Sequence, residues 1–101
     1  MQLQIPKKFK LFGATINVVW DNKRLQDLNA YGLFEYGQGK ITLSTVDGLE
    51  KLDEDRILDC FYHERTHAIL EAMHERELSK NEDFVDVFSK LLRQADETAK
   101  F

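Results

Sequence analysis

The pattern of apolar and polar positions divides the chain into a β-rich first half and a helical second half. Residues 9–12 and 15–20 are rich in β-branched and aromatic side chains on either side of Gly13-Ala14, which predicts a tight hairpin. Asp21-Asn22 signals a turn, and residues 23–30 read as a loop or a short helix. Residues 32–36 and 40–44 predict two further strands joined through Gly37-Gln38-Gly39. In the second of these, Ile41 and Leu43 alternate with Thr42 and Ser44, the period of a half-buried strand. Residues 45–50 form a connection around Gly48.

From Asp53 onward the period becomes helical. Glu54 and Asp55 put negative charge at the positive end of a helix dipole, and Ile57, Phe61, Ala68 and Ala72 mark an apolar face. This helix should run to about residue 75–78, with a break over 79–81. A last helix over about 82–99 carries the stripe Phe84, Phe88, Leu91, Leu92 and Ala95, expected to face inward. Four strands followed by two helices predict an α+β fold: a small antiparallel sheet with the helices on one face, in a single domain spanning 1–101.

Composition narrows the partners. The formal charge is −4, and the basic cluster Lys7, Lys8 and Lys10 reads as a solvated strand end, so nucleic acid is not the expected partner. Cys60 is the single cysteine, which excludes an intrachain disulfide and suits a reducing compartment. No run approaches the roughly 18–20 apolar residues of a membrane span. Lys7-Lys8 after Pro6 interrupts any signal-peptide pattern, so a cytoplasmic protein is expected.

The chemistry concentrates in His63-Glu64-Arg65-Thr66-His67. On a helix, residues four apart stand one above the other, about 6 Å apart along the axis, so both imidazoles can grip one ion. This is the H-E-x-x-H arrangement of zinc metallopeptidases: two ligands with a carboxylate general base between them. The pair lies some 100° or more from the apolar face. Such a site needs a third protein ligand from elsewhere and one position left for water. His74 lies about 10 Å further along the axis and cannot join the same ion, so it reads as a cation at the helix end. Cys60, one turn before His63, is either a soft ligand or a small buried thiol. Arg65 falls in the apolar sector and needs either a route to solvent or a carboxylate partner that no spacing identifies.

Past the break, Asn81-Glu82-Asp83-Phe84-Val85-Asp86 resembles the N-E-x-x-x-D helix of the gluzincin, or thermolysin-like, metallopeptidases. The resemblance implies one Zn²⁺ held by His63, His67 and Glu82, with Asp86 supporting a histidine ligand and Glu64 as general base. It also implies that strand 40–44 is the edge strand that pairs with an extended polypeptide substrate. Length and strand order look like small phage- and prophage-encoded zincin-like proteins, which implies a bacterial host cytoplasm. Read from the residues alone, Ser79 to Glu82 equally fits a capping box, and Asp83 or Asp86 could supply the third ligand. Tyr31, Tyr36, Tyr62 and His74 are the available donors for an oxyanion, none singled out by spacing. So short a chain predicts an open groove. A second functional reading is a zincin-shaped binding module that recruits a host or phage protein, to which Arg65 points.

Overall fold

The computed structural model describes residues 4–101. Strands β1 (Lys8–Leu11) and β2 (Ala14–Trp20) form an antiparallel hairpin. Its turn is Phe12-Gly13, one residue earlier than the sequence suggests. Both residues have positive φ, 50° and 81°, as a hairpin turn of the primed type requires. Asp21 then caps α1 (Asn22–Asp27) by accepting from the Arg24 amide, so the turn signal is a helix start. β3 (Gly32–Glu35) and β4 (Lys40–Leu43) follow, joined by a single 3₁₀ turn at Tyr36–Gln38.

The sheet order is β1-β2-β4-β3. The α+β class holds, but the sheet is mixed rather than wholly antiparallel. β2 and β4 run parallel because α1 and β3 intervene as a crossover. The order also corrects the edge: the strand over 40–44 is central, and β3 is the edge beside the helices. One face of the sheet buries Ile16, Val18, Ile41 and Leu43 against Phe61. Each such side chain contributes roughly 1.5–3 kcal/mol by leaving water. Lys8 and Lys10 stand on the exposed side, as expected. The connection around Gly48 closes as a small hairpin, β5 (Val46–Asp47) with β6 (Glu50–Lys51).

Helix α2 (Glu54–Ala72) starts where its charges predict, with Asp53 accepting from the Arg56 amide. It ends a little earlier than expected. His74 adopts left-handed φ of 61°, and the bonds from His74 N–H to Glu71 C=O and from Glu75 N–H to Leu70 C=O close the end. The expected break holds a short helix, α3 (Arg76–Lys80), before α4 (Glu82–Thr98).

α4 packs on α2, and its inward face is not the apolar stripe. Val85, Ser89 and Arg93 are buried, whereas Val87, Phe88 and Leu91 are exposed by 58%, 45% and 61%. Arg93 explains the rotation. Its guanidinium donates to Asp55 Oδ1 (2.6 Å), Asp59 Oδ1 (2.8 Å), the Asp55 carbonyl (2.9 Å) and Glu97 Oε2 (3.1 Å), latching α4 to the first turns of α2. A charge so satisfied can be buried, and with Arg93 inward Phe88 and Leu91 turn toward solvent while Phe84 and Leu92 stay half-buried. Phe84 and Phe88 stack on each other there, 5.7 Å between centroids.

Candidate metal centre and its acid-base group

His63 and His67 ride on successive turns of α2, ring centroids 4.9 Å apart. The first residue of α4, Glu82, reaches across to both: Oε2 is 3.0 Å from His63 Nε2, and Oε1 is 3.3 Å from His67 Nε2. One donor atom from each of the three residues lies within 4.8 Å of the others. Donors around a tetrahedral zinc, with bonds of about 2.0–2.1 Å, stand about 3.3 Å apart. Two imidazole nitrogens and one carboxylate are also the ligand chemistry of open catalytic zinc sites. The residues therefore fit such an ion.

Glu82 is no capping-box residue. The cap of α4 is Asn81, whose side chain accepts from the Phe84 amide at 3.1 Å. Glu82 is 65% exposed along its side chain, yet its carboxylate is directed at the two imidazoles. Asp86, one turn on, stands 4.0 Å from His63 Nδ1, beyond hydrogen-bond length. Asp83 is exposed and lies outside the cluster.

The sequence missed Ser79. Buried in α3, its hydroxyl lies 2.9 Å from His67 Nδ1. With Nε2 turned to a metal, Nδ1 would carry the proton and donate it to Ser79 Oγ, fixing the ring. The signal was present in Ser79-x-x-Glu82 but read as a helix cap. Burial, opposed in part by the Glu82 carboxylate, lowers the His67 pKa and so favours the neutral, ligating ring.

Glu64 lies on the sheet side of the pair. Its Cγ would be 3.1 Å from a Cβ built on Gly32, so a larger residue there would press on the Glu64 side chain. Burial, reinforced by the Glu82 carboxylate, raises its pKa to about 7, against a hydrogen bond from the Phe34 amide. A carboxyl tuned to that range is suited to take and return a proton.

The open edge of β3 lies beside this carboxyl. Ser44 N–H bonds to Tyr31 C=O at 3.2 Å, so in the antiparallel register the main-chain groups of Leu33 and Glu35 face β4 as well. Those of Gly32 and Phe34 face outward. A cleft of about 440 Å³ runs from His63 and Glu64 past Gly32 and Cys60 to Tyr31. Of the four oxyanion candidates only Tyr31 lines it. Tyr36 and His74 border a different cleft, and Tyr62 donates to Asp96 at 2.9 Å.

No protein-family model matches the chain, and no significant match is found among curated proteins or solved structures. Chemistry alone must carry a functional reading.

The remaining residues fall aside from the centre. Cys60 is no ligand; burial, with the Glu64 charge, raises its thiol to about 11. Arg65 lies 4.4 Å over the Tyr62 ring and 3.4 Å from Asp96 Oδ2, which is the carboxylate its sector demanded. It belongs neither to the three-residue cluster nor to the lining of the cleft.

Proposed function

We propose that this chain is a zinc-dependent peptidase of the H-E-x-x-H type, with His63, His67 and Glu82 holding one ion and Glu64 as general base. The observation that carries the reading is the convergence of the Glu82 carboxylate on both imidazoles, next to a carboxyl whose pKa is raised to about 7. Zinc supplies Lewis acidity when bound, making water nucleophilic near neutral pH and steadying charge on a carbonyl oxygen.

The protein's own groups do the rest. Glu64 takes the proton of the attacking water and delivers it to the leaving amine. The outward main-chain groups of Gly32 and the Phe34 carbonyl, the Phe34 N–H being held by Glu64, bind an extended peptide as an added strand over Glu64. Ser79 holds the His67 ring, and Tyr31 is placed to meet the carbonyl oxygen. The cleft lined by Tyr31, Gly32, His63 and Glu64 is open to solvent, and a flexible polypeptide is the substrate that fits it.

The test joins elemental analysis of the purified protein to peptide hydrolysis by wild type and Glu64→Gln. One zinc per chain and loss of at least about 10²-fold in rate for Glu64→Gln are expected. Equal rates from the two proteins reject catalysis.

A second reading, a zincin-shaped module that binds another protein, is favoured by the outward stripe of Val87, Phe88 and Leu91 on α4. Arg65 no longer supports it, being held by Asp96. Melting unchanged by chelator, with no metal in the purified protein, would favour this module.

Among the described residues no helix is long and apolar enough to cross a membrane.

A further inference from the structure

The cleft beside Glu64 has an uneven charge balance. Two cations, Arg56 and Lys90, and three acids, Asp59, Glu64 and Asp86, line it. Asp59 is taken by Arg93 at 2.8 Å and Asp86 by Lys90 at 3.2 Å. Glu64 is the acid-base group. Of the two cleft cations, Arg56 is the one with no carboxylate partner among the described residues. Its guanidinium instead lies 5.2 Å over the ring of Tyr31, at the residue where the edge strand begins. That stacking holds the planar group at the wall of the cleft while leaving its N–H donors free.

Position follows from the helix. Arg56 precedes Glu64 by two turns, about 12 Å along the axis. An extended peptide covers that distance in roughly three to four residues, and long side chains shorten it by one. Direction follows from the strand. β3 runs from Gly32 toward Glu35, so a peptide paired antiparallel to it sends its C-terminal side back past Gly32 to Tyr31 and Arg56.

Resting on the peptidase reading above, we propose that Arg56 is the specificity-determining residue of this site, binding a substrate carboxylate two or three residues on the C-terminal side of the bond cleaved. The carboxylate is either the peptide's own C-terminus or an acidic side chain. The guanidinium offers a carboxylate two parallel N–H donors, and apart from Glu64 the acids of the cleft are already paired. Short peptides with a free C-terminus, or polypeptides with an acid at that spacing, are then the substrates selected.

The test uses an alanine-rich peptide with a fluorescent amino-terminal label in three forms: free C-terminal carboxylate, C-terminal amide, and the amide with one glutamate near the end. Binding is read by anisotropy on zinc-supplemented Glu64→Gln protein, with Arg56 intact, as Arg56→Gln and as Arg56→Lys. A carboxylate form should bind about tenfold more tightly than the plain amide. Arg56→Gln should reduce that preference to less than about twofold, and Arg56→Lys should restore part of it. Preference for the free acid alone assigns the C-terminus, and preference for the glutamate amide assigns a side chain.

Equal binding of all three forms, a preference that survives Arg56→Gln, or no binding up to millimolar peptide overturns the proposal. Hydrolysis of the same peptides by wild type is scored separately. Carboxylate-dependent binding without hydrolysis sinks the peptidase reading alone, and hydrolysis without carboxylate preference sinks only the role of Arg56.

Discussion

Ser79 Oγ lies 2.9 Å from His67 Nδ1, on the ring edge opposite the nitrogen that faces Glu82. A short buried hydroxyl from one helix thus orients an imidazole from another. Ser79→Ala removes that contact while leaving the three candidate ligands in place. Zinc affinity, measured by competition with a chromogenic chelator, should fall about 10- to 100-fold. Affinity unchanged within twofold would mean that Ser79 only fills space.

Glu64 gives the metal-free protein a pH dependence of definite sign. Its folded pKa of about 7 lies above the 4.5 of an ordinary glutamate. The neutral form is therefore favoured by folding, and its contribution is complete below about pH 4.5. It is lost as pH rises to about 7, by no more than about 3 kcal/mol. Urea unfolding of chelator-treated protein at pH 5 and pH 8 reads this loss. Glu64→Gln should flatten it, and a divalent cation should restore stability at the higher pH by favouring the charged form.

The two faces of α4 should respond oppositely to mutation. Val85 is fully buried against α2, and Val85→Ala should cost about 2 kcal/mol. Leu91, 61% exposed, should tolerate glutamine within about 0.5 kcal/mol. Denaturant midpoints of the two variants decide the matter. A large loss for Leu91→Gln would mean that the stripe is inside.

His74 holds a left-handed conformation that costs an L-residue energy and glycine almost none. His74→Gly should stabilise the protein by about 0.5–1 kcal/mol, raising the melting temperature by a few degrees. Zinc affinity should not change, because His74 lies outside the cluster. A lower melting temperature would show that the imidazole makes a contact worth more than the strain.

What could be read from sequence was local. The caps and charges around Asp53, the strand at Ile41 and Leu43, and the one-turn spacing of His63 and His67 depend on near neighbours. The half-buried reading of that strand fails, because the central place of β4 buries Thr42 and Ser44 as well. The residues that turned out differently depend on distant ones. Periodicity marks the Phe84/Phe88/Leu91 stripe without saying which way it points. The direction comes from Arg93, whose partners Asp55 and Asp59 lie 38 and 34 residues away. Asp96, the partner of Arg65, is likewise 31 residues distant. The edge position of β3 follows from a crossover that no strand advertises. Ser79 was concealed by a plausible local role, since a serine three before a glutamate is also how helices begin.

The joint between α3 and α4 puts Ser79 and Glu82 three residues apart, while both imidazoles belong to α2. A single residue inserted there would swing the glutamate about 100° around its axis and carry it out of reach. Because Glu82, Val85 and Arg93 share α4, the same swing would turn Val85 and the Arg93 latch away from α2. The length of this joint thus sets the reach of a candidate ligand and the seating of a whole helix together.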